Sequence, residues 1–225
     1  MKLHPLRAAL CFASVFLTGR IFAASTDSRQ APHAVFINPS SPEEKEIQST
    51  GEYTINRLAM TMVNELRAAL AKGPAEDAIA ICHLKSLPMT GGKITGLPRI
   101  TAIKRTSLKV RAPGNAPDEA DKLALDYIDR ALNAGESPPK LLLQRIDASG
   151  STPEWRVYRP LGITPQCATC HGEHAEQSPA LRAKLDALYP ADQATGYSPG
   201  QWRGLIRVTV AEAPAPAARS MVKKS

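Results

Sequence analysis

Five consecutive residues, Cys167-Ala168-Thr169-Cys170-His171, constrain this chain more than any other stretch. Two thiols followed at once by an imidazole fit three kinds of chemistry. In c-type haem attachment the thiols add across the two vinyl groups of one porphyrin edge, and the adjacent His supplies the proximal iron ligand. A thioredoxin-like dithiol instead sits at the start of a helix inside a βαβ unit, and the residues before Cys167 carry no such pattern. A structural zinc site needs a second Cys or His pair, and none of that kind follows. Haem is therefore the preferred reading, with the motif placed in a loop. Aromatic residues make up only 5% of the chain, which suits a small core that a porphyrin helps to fill.

The cysteine count sharpens the problem. Lys2, His4 and Arg7 precede an apolar run from Ala8 to Leu17, too short to span a membrane and typical of a secretory signal. Cleavage after Ala23 would remove Lys2, Arg7 and Arg20 from a net charge of +7, leaving a mildly basic protein with no nucleic-acid-binding stripe. It would also remove Cys11, one of four cysteines. Haem attachment uses Cys167 and Cys170, so Cys82 is left over as an unpaired thiol in an oxidising compartment. Burial is one explanation and iron ligation another.

Residues 24–41 are polar and proline-interrupted, and are read as a flexible leader. Ser41-Pro42-Glu43-Glu44 announces a long helix with a capping box. Ile47, Gly51, Thr54, Leu58, Met62, Leu66 and Ala69 give that helix one buried face up to about Lys72. A helix this long could also pair with a second copy. A second helix runs from Pro74 through Ala78–His83, where Cys82 and His83 point about 100° apart. Cys82 lies on the Ile79 side and looks inward. Gly96 to Arg111 reads as extended, with Arg105, Ser107 and Lys109 on one face. A helix follows, with Ala120, Leu123, Ala124, Tyr127, Ile128 and Ala131 on its buried side. Leu141–Ile146 and Glu154–Arg159 suggest a hairpin, Ser178 caps a short helix, and Leu205–Ala211 is a last strand. Residues 213–225 read as a disordered tail.

Four stretches, in this order, resemble a family of secreted c-type haem domains found alone or in extracytoplasmic sensors. They are Ala78-Ile79-Ala80-Ile81-Cys82; Arg105 to Arg111 with Asn115-Ala116-Pro117; Cys167 to Gly172; and Tyr189-Pro190-Ala191-Asp192 through Gly196-Tyr197 to Arg203-Gly204. The resemblance runs from about Pro74 to Ala211. It implies an α+β fold over residues 42–212, with a PAS-like antiparallel sheet, flanking helices and a long N-terminal helix. It also implies one covalently attached haem c on Cys167 and Cys170, with His171 and Cys82 as axial ligands. His83 beside Cys82 keeps a bis-His site open. Met89, Met60, Met62 and His174 remain further alternatives.

Arg105 and Lys109 would lie near the haem and could pair with its propionates. Trp202, Tyr158 and Tyr197 are candidates for the pocket walls. A distal Cys82 argues against an enzyme, which would need an open position and an acid or base beside it. Two functions remain. One is a periplasmic, low-potential electron-transfer cytochrome meeting a redox partner. The other is a haem-based redox or small-ligand sensor acting with a separate signalling protein.

Overall fold

The structure is a computed structural model that describes residues 33–82, 89–90, 93–94, 96–97, 99–148 and 150–213. The signal segment, His83 and the tail from residue 214 lie outside the described residues, as does the side chain of Met89.

The first helix, α1 (Pro42–Lys72), starts where the capping pattern puts it. The Glu44 amide donates to Ser41 Oγ at 3.2 Å, and Glu44 Oε2 accepts from the Ser41 amide at 3.0 Å. Two of the amides that a helix start leaves without partners are thereby satisfied. Ile47, Gly51, Thr54, Ile55, Leu58 and Leu66 form its buried stripe. The sheet beneath is antiparallel throughout, in the order β1-β5-β6-β7-β4. Its strands are β1 (His33–Ile37), β4 (Ile100–Thr106), β5 (Leu142–Asp147), β6 (Glu154–Gly162) and β7 (Trp202–Val210). The remaining strands, β2 (Met89–Thr90) and β3 (Lys93–Ile94), form a separate small hairpin.

Side-chain alternation along the strands splits the core into two layers. Leu143, Trp155, Val157, Ile206 and Val208 pack with Ile47, Ile55 and Leu58 of α1. On the other face, Leu142, Tyr158 and Leu205 pack with Ala124, Leu125 and Ile128 of α2 (Glu119–Asn133). The fold is therefore α+β, with helices on both faces of an antiparallel sheet. Gly51 lets α1 lie directly on β6, because a Cβ there would stand 2.4 Å from Val157 Cγ2. Gly204 does the same between β7 and β4: its φ is +146°, and a Cβ would meet the Thr106 carbonyl oxygen at 2.3 Å.

The α2 layer holds a buried charge network. Asp121 is fully buried and accepts from Lys104 Nζ at 3.0 Å, from Tyr158 Oη at 3.1 Å, and from Arg156 and Arg207 at 3.2 Å. Asp118 caps α2 and receives the same two guanidinium groups at 2.7 and 3.1 Å. Burial works against ionisation of Asp118, but Arg156, the Asp121 amide and Arg207 outweigh it and hold the carboxyl at about 2.

Several sequence expectations change here. The leader of residues 24–41 contains an ordered strand, β1, paired along β5 from His33↔Asp147 to Ile37↔Leu143. The second helix is a 3-10 helix over Ala75–Cys82. The haem motif is helical rather than in a loop. Leu123 and Tyr127, expected on the buried side of α2, are 45% and 41% exposed, and Asp121 takes the interior position instead.

Candidate functional site

The short helix α3 (Pro165–His171) carries the motif. Thr164 caps it and Pro165 occupies its first turn, which suits the missing amide of proline. Helical spacing then places Cys167, Cys170 and His171, at i, i+3 and i+4, along one face. All three line a cavity of about 610 Å³, within the usual size range of cofactor sites. Cys82, at the end of the 3-10 helix, lines the same cavity. A segment 85 positions earlier in the chain than Cys167 thus brings the leftover thiol to the motif. The walls come from α1 (Ala59, Met62, Val63, Leu66), from the end of β6 (Leu161, Ile163 just beyond it) and from Ile79.

His171 is held in a defined orientation. Its Nδ1 lies 2.7 Å from the Ala194 carbonyl oxygen and donates to it, which leaves Nε2 with its lone pair free. Burial, reinforced by Arg111 and Arg203, pushes the imidazole down to about 3, so it is neutral and fit to ligate. Tyr197 meets its ring edge-on at 6.5 Å, and the Tyr197 amide donates to the His171 carbonyl at 2.9 Å. Burial pushes the Cys170 thiol up to about 11, with the neighbouring Cys82 and Cys167 sulfurs adding to the effect.

The polar lining is one-sided. Arg105, Lys109, Arg111, Arg159 and Arg203 line the cavity, and among the described residues no carboxylate does. Arg105 donates to the Cys82 carbonyl and, at 3.3 Å, to Met62 Sδ, yet its Nε is buried without a hydrogen-bond partner. Thr106 Oγ1 is buried in the same condition. Burial lowers the affinity of Arg203 for its proton, and Arg111 and Arg105 lower it further, while Tyr197 opposes them. Buried like charges with an unsatisfied donor are unfavourable unless an anion joins them. A dianionic porphyrin fits this donor set: thiols for its vinyl groups, imidazole for its metal and guanidinium groups for its propionates.

The expected site residues Cys82, Cys167, Cys170, His171, Arg105 and Lys109 thus come together. Met62 joins them on the wall. Met60 is 66% exposed, and His174 is exposed and outside the lining. Tyr158 and Trp202 are not pocket walls but belong to the α2 layer, because their strand positions face the other side of the sheet. Arg111 carried no predicted role, although it lay inside a quoted stretch. It donates to the Cys170 carbonyl at 2.6 Å, to the Ala194 carbonyl at 3.2 Å and to Asp192 at 2.9 Å. Among the described residues no three His, Cys, Asp or Glu side chains are grouped to hold a bare metal ion.

A comparison with curated proteins finds no match. The crystal structure of the cyanobacterial heme-protein Tll0287 is similar at 18% identity and a TM-score of 0.47, over 79% of this chain and 100% of that one. A family model described as Tll0287-like matches residues 40–211. That span takes in the whole of α1, which lay outside the resemblance read from the sequence, together with both cysteine segments, His171 and the cationic lining. The chain belongs to the Tll0287-like family.

Proposed function

We propose that this protein is a secreted monohaem c-type cytochrome of PAS-like fold that carries electrons in the periplasm. The observation that carries the reading is the convergence of Cys82, Cys167, Cys170 and His171 on one cation-lined cavity. Cys167 and Cys170 would hold the porphyrin covalently. His171, fixed through Nδ1, would present Nε2 to the iron, and Cys82 would supply a second protein ligand. Arg105, with its free Nε, would take a propionate. When bound, the haem would supply a one-electron iron couple, and thiolate donation from Cys82 would lower its potential. With both His171 and Cys82 on the iron no open site would remain for turnover, so we assign no enzymatic activity. Membership of the Tll0287-like family, which shares its name with a heme-protein, supports the cofactor.

A second reading, a redox or small-ligand sensor, is favoured by one contact. Arg105 links the Cys82 carbonyl to Met62 on α1, so a displaced Cys82 would be felt by the long helix. A second copy or a signalling protein would meet the outer face of α1, where Tyr53 and Met60 are 61% and 66% exposed.

A redox titration of the purified holoprotein followed by absorbance, with EPR on the wild type and on Cys82→Ala, tests the proposal. The expected result is a low potential and a changed spin state or g-values in the variant. Identical spectra would remove Cys82 as a ligand. Ready uptake of carbon monoxide or nitric oxide by the wild type, with a structural change, would move the function to sensing.

A further inference from the structure

His171 is bonded to a closed ring of hydrogen bonds formed by Ala194, Arg111 and Asp192. Its Nδ1 donates to the Ala194 carbonyl at 2.7 Å. The same oxygen accepts from Arg111 Nη2 at 3.2 Å. Arg111 Nε donates to Asp192 Oδ2 at 2.9 Å, and Asp192 Oδ1 accepts from the Ala194 amide at 2.7 Å. One carboxylate and one guanidinium therefore grip both ends of the residue that orients the imidazole. Both side chains are nearly buried, at 13% and 11% exposure, so solvent screens the pair little. Arg111 also donates to the Cys170 carbonyl at 2.6 Å, which ties the ring to α3 itself.

We propose that Arg111 and Asp192 are positioning residues that set how strongly His171 donates to the metal it binds. The inference rests on the reading of His171 as an axial ligand.

The direction follows from the chemistry. A carbonyl that accepts strongly from Nδ1–H draws the ring toward imidazolate character and makes Nε2 a better donor. Arg111 competes for that carbonyl and polarises it, so it restrains the effect. Asp192 holds part of the Arg111 charge away and fixes the peptide. Replacing Arg111 by a neutral residue frees the carbonyl and removes a nearby positive charge. Both changes favour the oxidised metal. Replacing Asp192 by Asn does the reverse, because it removes a negative charge and releases Arg111 toward the carbonyl.

The test uses full-length holoprotein of the wild type, Arg111→Gln, Arg111→Lys and Asp192→Asn. Midpoint potentials are measured at fixed pH, together with the hyperfine-shifted Nδ1 proton of His171 by NMR. Arg111→Gln should lower the reduced-to-oxidised ratio at a fixed potential by about tenfold, which is 59 mV for a one-electron couple. Asp192→Asn should raise it, and Arg111→Lys should recover part of the wild-type value. The opposite signs are the discriminating result, since loosening the pocket would move both variants the same way. Unchanged potentials, or shifts of one sign, would overturn the proposal while the wild-type NMR and EPR still show His171 on the metal. Spectra without histidine ligation would overturn the underlying reading and the proposal with it. If Arg111→Gln fails to take up haem, the sign from the near-isosteric Asp192→Asn decides.

Discussion

Gly51→Ala is a substitution on which two general rules disagree, and the packing decides between them. In an exposed helix interior the change stabilises by about 1 kcal/mol, because glycine loses more backbone entropy on folding. Here the new Cβ would stand 2.4 Å from Val157 Cγ2 and 2.5 Å from Val157 Cβ. Carbon atoms rest about 3.5–4.0 Å apart, so roughly 1 Å of separation has to be found. Val157 cannot easily give it. It is fully buried on β6, between β5 and β7, and its branched side chain is stiff at χ1. Helix α1 must lift instead, and overpacking of this kind costs about 1–3 kcal/mol, with the upper part expected for so close a contact. The net effect is a loss of roughly 1–2 kcal/mol, or about 2–8 °C in Tm for a domain of this size. Thermal melts of the wild type, Gly51→Ala, Val157→Ala and the double variant separate the terms. In the Val157→Ala background the clash with the methyl groups is gone and only the approach to Cβ at 2.5 Å remains, so Gly51→Ala should cost less than it does in the wild type. A Gly51→Ala protein more stable than wild type with Val157 intact would refute the argument. The change should also reach the site, since α1 and β6 both run on into the lining of the cavity, at Met62 and Leu161. Haem uptake by the variant should fall.

Two further outcomes concern the opposite face of the sheet. Asp121→Asn removes the fully buried one of the two carboxylates that Arg156 and Arg207 share, and urea melts should show a loss of about 3–5 kcal/mol; a change under about 1 kcal/mol would mean the network is dispensable. Asp118 has a depressed folded-state pKa, so its contribution is present above its ordinary value of 3.8 and is lost as pH falls through about 2. Asp118→Asn should therefore melt with less dependence on acid across that window, as followed by circular dichroism.

The parts of the fold that were legible in the sequence are those written in local spacing. The start of α1 follows from Ser41, Pro42 and Glu44, and its buried stripe from apolar residues three and four apart. The β5–β6 hairpin follows from two apolar runs around turn-forming residues. The strand β1 was missed because a five-residue run after a polar segment carries little pattern, and its state is decided by β5, more than 100 positions later. The buried side of α2 was misassigned for a related reason. An aspartate enters the core only because Lys104, Arg156 and Arg207 meet it there, and no local rule reveals that meeting. At the site, Cys167, Cys170 and His171 were legible as a motif and Cys82 by the odd count. The helical setting of the motif had a signal, Thr164-Pro165, that the expectation of a loop passed over. Arg111 and Asp192 lie 81 residues apart, so their pairing required the fold.

The two faces of the sheet treat charge differently, and the difference locates the site. On the α2 face, Lys104, Arg156 and Arg207 are answered by Asp118, Asp121 and Glu154 within hydrogen-bonding distance. The protein supplies both signs there, and the network can serve stability alone. On the α1 face, Arg105, Lys109, Arg111, Arg159 and Arg203 border a cavity with no carboxylate among the described residues of its lining. Asp192 answers Arg111 from behind. A chain folding for stability alone would gain from an acidic residue at such a wall, as the other face illustrates. Its absence beside three thiols and a neutral imidazole is intelligible if the missing negative charge arrives with a ligand, and the propionates of a haem would bring that charge to the place where Cys82, Cys167, Cys170 and His171 converge.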